Sequence, residues 1–484
     1  MSILVFVFAG TALFAQPNLK QASRFAKSIT AGEMHRHLSV IAGPEMEGRE
    51  TGTRGEHRAA EYLVSQLQEL GVEPANNGQY LMPFPVFRDS VQEAAIAING
   101  KNFLAGKDFQ PYINNFTSQM RFGEVLFINP EDSAFRNNRL NVSGRLVMMQ
   151  QPAQQRGRRS ANPVFELLNR GASAILVVSN NEMTDDGEWR NSGMSTSQYP
   201  TRQVANSWLI SPAMAREIAG GETPADTRSF PAQVELKYNE SSNHIRANNV
   251  VGIIRGTKYP DEYVVLSAHY DHTGKRGDVI SYGADDDGSG TVGLLGIAKA
   301  FQEAKARKQG PEKSVVFLWV SGEEKGLWGS HFYSENPVFP LEKTTANLNI
   351  DMIGRVDTIF ASKKDSANYV YVIGDNRISS ELAGITTQAN SMVKLTLDPK
   401  YNAPDDPERI YFRSDHYNFA RKGVPAIFYF NGIHEDYHRP TDTVDKINFP
   451  LLAKRSQLVF YTAWLMANRP GLLSRDRPLE NMTR

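Results

Sequence analysis

Four apolar runs in the second half of this chain end in a histidine or a carboxylate. His269 and Asp271 follow "YVVLSA", Glu323 and Glu324 follow "VVFLWVSG", Asp351 closes "NLNI", and His438 lies a few residues beyond "AIFYFNG". A charge taken out of water without a partner is costly, so buried strands rarely end in unpaired carboxylates. Four such cases call for one common cause. Carboxylates that converge in a dry crevice repel one another and resist losing their protons. One divalent cation, or two, removes that penalty. The chain has no cysteine, so any metal ligands must be His, Asp and Glu, a set that suits a catalytic zinc site with an open position. A further stretch, "GADDDGSG", sets Asp285, Asp286 and Asp287 side by side among glycines. Composition and spacing do not choose which of the three faces a cation.

The elements that must position these groups follow from the same runs. "NNVVGIIRG", "EYVVLSAHYD", "SVVFLWVSGEE", "NLNIDMIG" and "PAIFYFNG" are continuously apolar or β-branched, as strands buried on both faces are. Helical patterns lie between and after them at 290–308, 379–390 and 449–469. Alternation of strand and helix predicts an α/β fold with a mixed, mostly parallel central sheet sandwiched by helices. Open sheets of this kind bind ligands beyond the carboxyl ends of their strands, where residues distant in sequence converge. Upstream, "EHRAAEYLVSQLQELG" predicts a helix stopped at Gly71. From about residue 91 to 245 short strands dominate, and this stretch carries none of the ionisable pattern found later.

Composition narrows the function classes. Lys+Arg and Asp+Glu both number 53 in 484 residues, so no net positive charge draws the chain to nucleic acid or an anionic membrane. With 40% hydrophobic and 22% charged residues the balance is that of a folded globular protein. "ILVFVFAGTALFA" at residues 3–15 has the length of a signal-peptide apolar region and ends in small residues. It predicts export, periplasmic or secreted, with cleavage near Ala15. No stretch reaches transmembrane length, and no cysteine is present to carry a lipid, so no stable membrane anchor is expected.

Five motifs in order, "HYDHTG", "GADDDGSG", "SGEEKGLWGS", "NIDMIG" and "YHRPTDT", resemble those of the co-catalytic di-zinc aminopeptidases. Their wider family includes glutamate carboxypeptidase II, the glutaminyl cyclases and the transferrin receptors. The motifs span about 170 residues, and their order makes the likeness specific where any single one would be weak. The resemblance implies two zinc ions per chain in a zinc exopeptidase fold. His269 and Asp351 would hold one zinc, Glu324 and His438 the other, and Asp286 would bridge both. Asp271 would orient the His269 imidazole, Glu323 would be the general base, and Tyr437 would polarise the substrate carbonyl or stabilise its oxyanion. The implied reaction is hydrolysis of N-terminal residues from a peptide substrate. The same wider family leaves a carboxypeptidase, an inactive receptor-like binding protein and a glutaminyl cyclase as alternatives. "GRLVMMQQP" and "NRGASAILVVSN" resemble, more loosely, the smaller β-rich protease-associated domain often inserted in this family. The expected organisation is a signal peptide over 1–15, an N-terminal part of the peptidase domain over 16–90, the insert over 91–245 and the zinc peptidase domain over 246–484. No oligomeric state follows from these features.

Other readings compete. "HEDYH" at 434–438 is a literal H-E-x-x-H string, which on a helix would pair His434 with His438 around Glu435 as base. Gly432 before it and Pro440 after it oppose a long helix. The acidic turn opens like a calcium loop, but its twelfth position is Gly296 rather than glutamate. No nucleophile elbow and no phosphate loop occurs. His272, Asp415 and His416 read equally well as groups near the site or as ordinary buried residues at a sheet end. For His35, His37, His57, His244 and His331 the ordinary reading is preferred.

Overall fold

A computed structural model describes residues 19–477, except 114, 153–162, 186, 200–204, 223 and 361–366. The apolar N-terminal run and its expected cleavage point lie outside the described residues. The chain divides into two units, one made of 1–84 with 246–484, the other of 85–245.

In the first unit the sheet runs Thr396–Asp398, Tyr369–Ile373, Ala426–Phe430, Thr344–Ile350, Tyr259–His269, Lys313–Val320 and then 250–254, with Glu73–Pro74 beyond. Its centre is parallel: Thr344–Ile350 pairs in parallel with Ala426–Phe430 and with Tyr259–His269, which pairs in parallel with Lys313–Val320. The strand at 369–373 and the segment 250–254 join it antiparallel, so the sheet is mixed, as the sequence predicts. Alternate residues of each central strand enter different cores. Val264, Leu266, Val315, Phe317 and Trp319 pack with Phe301, Phe460 and Trp464 of the helices Gly290–Ala306 and Phe449–Ala467. Val265, Val316, Leu318 and Val320 pack instead with Tyr333 and Phe419 on the other side. Both faces are covered, which is why these strands are apolar throughout rather than alternating. The helix Arg54–Leu70 ends at Gly71 in the left-handed region, φ +73°.

The second unit holds its own sheet. The segment 228–238 pairs antiparallel with Ser118–Ile128, followed by Leu146–Gln150, Ala174–Val178 and Asn206–Ile210 in parallel. Pro163–Asn169 and Pro212–Ala219 are its longer helices. Trp208, Phe109 and Tyr238 are buried in one of its cores. No helix among the described residues is long and apolar enough to cross a membrane.

Candidate metal centre

His269 is the last residue of its strand, paired with Val320 at the end of the neighbouring one. Glu323 and Glu324 stand just past Val320, and Asp351 directly follows Ile350. Parallel pairing therefore brings these groups to one edge of the sheet. Asp286 reaches the same edge from the tight turn Ala284–Ser289, which feeds the helix Gly290–Ala306. His438 arrives from the turns after Ala426–Phe430.

The two oxygens of Asp286 face different histidines. Oδ1 lies 3.3 Å from His269 Nε2, and Oδ2 lies 3.1 Å from His438 Nε2. His269 Nε2 is also 3.6 Å from Asp351 Oδ1 and 4.0 Å from Glu323 Oε2. His438 Nε2 is 3.0 Å from Glu324 Oε2. Two atoms bound to one tetrahedral zinc at about 2.1 Å stand about 3.4 Å apart, close to the separations of these ligand pairs. His269 Nε2 and Asp286 Oδ2 are buried without a hydrogen-bond partner among the described residues, as atoms turned toward cations would be. The donor set, two imidazoles with three carboxylates and no thiolate, fits two divalent ions of the zinc class.

Electrostatics agree with that fit. Burial works against charge on both histidines. The carboxylates around His269, Asp351 and Glu323 foremost, nevertheless raise it well above the ordinary histidine range. Hydrogen bonds to Asp286 and Glu324 raise His438 to about 10. Without a cation, protons would collect where cations fit. Burial raises Glu324, but hydrogen bonds from His272 and His438 outweigh it and bring that carboxyl down to about 2. Burial drives Glu323 well above the carboxylate range, and Asp351, Asp415 and Glu324 push it further. Burial likewise raises Asp351.

Two triads include residues outside the sequence scheme. His269, Asp287 and Asp351 form one, and His272, Asp286 and Glu324 the other, with ligand atoms within 4.8 Å of one another. Asp287 Oδ1 is already engaged by the main-chain N–H groups of Gly290 and Met352, at 2.8 and 3.0 Å. His272 Nδ1 bonds Glu324 Oε1 at 2.8 Å but lies 3.8 Å from Asp286. His438 approaches both carboxylates at 3.0 and 3.1 Å, and its side chain is 38% exposed, facing the mouth of the site. On these distances His438 meets the shared position better, and His272 supports Glu324 from beneath.

The neighbours of Asp286 point elsewhere. Asp285 Oδ2 meets His434 Nε2 at 3.2 Å, and its Oδ1 accepts from Gly354 N–H at 2.7 Å. His434 is therefore spoken for, the stretch 434–438 forms turns rather than a helix, and Glu435 is exposed, so the helical H-E-x-x-H arrangement does not form. Asp271 sits beside His269, but His269 Nδ1 donates to its main-chain carbonyl at 3.1 Å, with the carboxylate at 3.6 Å. That carboxylate is held instead by the Thr51 hydroxyl at 2.8 Å and the Glu323 N–H at 3.2 Å. Tyr437 stacks on His438 with ring centroids 3.9 Å apart and accepts from Arg413 Nη2 at 3.3 Å. It lines a cavity with Asp286, Glu323 and Asp351, whose further wall is Ile410, Phe428, Phe430 and Ile433.

Several supports carry little sequence signal. Ser414 donates to Asp351 Oδ2 at 2.6 Å and accepts from Asn349, which in turn accepts from Ser267. Asp442 accepts the N–H groups of Asp285 and Asp286 at 3.0 and 3.2 Å. Its position inside "YHRPTDT" was the one available hint. Asp415 and His416 are fully buried.

Residues 249–463 match the family model described as Peptidase family M28. The likeness to known proteins extends beyond that segment. A "Probable zinc metalloprotease" of Pyricularia oryzae is 25% identical over 318 residues, 57% of this chain and 61% of that protein. The chain thus spans about three-fifths of that relative's length. "Leucine aminopeptidase 2" of Arthroderma otae is 23% identical over 444 residues, 87% of this chain and 80% of that one. Among solved structures, an aminopeptidase from Aneurinibacillus sp. strain AM-1 shares the fold with a TM-score of 0.59 at 18% identity, covering 95% of this chain and all (100%) of that one.

Proposed function

We propose that the protein is an exported, zinc-dependent exopeptidase that removes N-terminal residues from peptides. The observation that carries this reading is Asp286, whose two carboxylate oxygens lie 3.3 and 3.1 Å from two different histidines, one at a strand end and one in a turn. His269 and Asp351 would hold one ion and Glu324 and His438 the other, with Asp286 between them. The similarity to a leucine aminopeptidase and to a zinc metalloprotease supports both the metal and the substrate class. The unit 85–245 would serve as a protease-associated-like domain, and the apolar run at 3–15 as the export signal.

Held by His269, Asp351, Glu324, His438 and Asp286, zinc would supply Lewis acidity that makes water acidic enough to react near neutral pH, with a pKa of about 7. Glu323, buried beside His269 and raised by its surroundings, would take a proton from the attacking water and deliver it to the departing amine. Tyr437, lining the same cavity, would donate its hydroxyl to the carbonyl oxygen as negative charge develops there. The apolar wall of Ile410, Phe428, Phe430 and Ile433 excludes water from the reacting bond and would favour an apolar side chain.

A second reading, carboxypeptidase action, draws on Arg413. This exposed guanidinium lines the cavity, where it would pair with a free substrate carboxylate. One experiment addresses both readings. Metal content is measured, and hydrolysis of aminoacyl and carboxy-terminal reporter peptides is compared between wild type and Glu323→Gln. Cleavage of aminoacyl reporters with two bound zinc ions supports the proposal. Cleavage of the other set alone moves the assignment to a carboxypeptidase. A Glu323→Gln variant with full activity removes the base.

A further inference from the structure

Arg49 is fully buried, in a Gly-rich stretch that lies some 200 residues before the matched family segment. Its guanidinium donates to four main-chain carbonyls: Nε to Tyr270 at 2.7 Å, Nη1 to Ile41 and Tyr282 at 2.8 Å each, and Nη2 to Gly283 at 2.9 Å. Tyr270 sits between His269 and Asp271, and Tyr282–Gly283 lead into the three aspartates. Two residues on, the Thr51 hydroxyl donates to Asp271 Oδ2 at 2.8 Å. Between them, Glu50 pairs with Lys325, the residue after Glu324, at 2.8 Å.

The backbone of this stretch is laid down as closely as its side chains. His272 N–H donates to the Arg49 carbonyl, and Gly274 N–H to that of Gly48. Gly48 has φ +71°, and a Cβ there would fall 2.4 Å from the Gly274 carbonyl oxygen and 2.5 Å from that of Ser281. Only glycine fits so close an approach.

We propose that residues 48–51 are the positioning element of the metal centre: Arg49 clamps the chain beside His269 to the chain before Asp286, and Thr51 fixes Asp271. This rests on the metal-site reading above. A planar fork of five donors reaches several carbonyls at once, which the compact ammonium of lysine does not. Burial works against the guanidinium charge, and Asp271, Asp286, Asp287 and Asp442, the acids of the site itself, counter it in part. Through these contacts the segment sets the separation of the strand-end histidine from the bridging aspartate. It touches neither substrate nor metal. Arg49 and Thr51 are positioning residues.

Thr51→Val keeps the shape and removes the donor, whereas Thr51→Ser keeps the donor and removes the methyl group. Each is compared with wild type for zinc release to a chelator, for kcat and KM separately, and for melting of the metal-free protein. Partners that orient metal ligands typically contribute about 10–100-fold to metal affinity or activity. Thr51→Val is therefore expected to release zinc about tenfold faster and to lose kcat about tenfold. Its KM and metal-free melting should be little changed, and Thr51→Ser should stay near wild type. Arg49→Lys, which keeps the charge without the fork, is expected to weaken zinc binding at least as much. If Thr51→Val holds zinc and turns over like wild type, or if Thr51→Ser is the more impaired, the inference is overturned. A wild type that binds no zinc at all overturns the metal-site reading on which it stands.

Discussion

Glu323 and Glu324 are adjacent in the chain yet face different histidines, Glu323 Oε2 lying 4.0 Å from His269 Nε2 and Glu324 Oε2 3.0 Å from His438 Nε2. Burial raises Glu323 well above the carboxylate range, while hydrogen bonds from His272 and His438 overcome burial at Glu324 and bring it to about 2. One is set to exchange a proton and the other to remain an anion. Glu323→Gln is expected to keep both metals and lose about 10²–10⁴-fold in kcat, the usual contribution of a positioned base. Glu324→Gln is expected to lose one metal. Metal analysis beside steady-state kinetics separates the two.

The three aspartates should likewise come apart under mutation. Asp286→Ala is expected to abolish metal binding and activity together. Asp285→Asn should retain metal but lose stability, because it breaks the buried pair with His434. Removing one partner of such a pair typically costs about 3–5 kcal/mol. Denaturant titration with metal analysis tests this, and loss of metal in Asp285→Asn would count against it.

Acid should weaken the fold through His416. Burial brings this imidazole to about 3, below its value of about 6.5 in an unfolded chain. The folded state favours the neutral ring, so its contribution is complete above about pH 6.5 and is lost as pH falls toward 3. His416 stacks on Phe428 and meets Tyr411 edge-on, with centroids 5.1 Å from each, and a phenylalanine fits that setting. His416→Phe is expected to flatten the fall in melting temperature between about pH 6.5 and 4. An unchanged slope would assign the acid sensitivity to other groups.

Gly71→Ala tests a purely local term. The residue caps Arg54–Leu70 at φ +73°, and a Cβ there meets only the Gln302 side chain, at 3.3 Å. The cost is then backbone conformation, roughly 1–2 kcal/mol, with activity unaltered. Chemical denaturation and kinetics measure both halves of that statement.

Much of the site was legible because strand-end chemistry leaves a local mark. An apolar run that stops at a histidine or carboxylate is visible without any knowledge of pairing, and His269, Glu323, Glu324 and Asp351 all follow that form. His272 was harder to read. Its side-chain hydrogen bond to Glu324 joins residues 52 apart, and its near neighbours give no hint of it. Arg49, Thr51 and Ser414 were silent for the same reason. An arginine that donates to carbonyls 221 and 234 positions away looks, in sequence, like any arginine in a loop.

Residue types alone determined that this chain carries a sulfur-free metal kit on the strand ends of an α/β sheet. Hydrophobic period and ligand chemistry are local properties, and they suffice for that. Tertiary structure decided which of three consecutive aspartates faces the histidines. Side-chain direction in a tight turn depends on each residue's own dihedrals and on distant partners: His434, Gly354 and Asp442 hold Asp285, while Gly290 and Met352 hold Asp287. Asp286 is left facing His269 and His438.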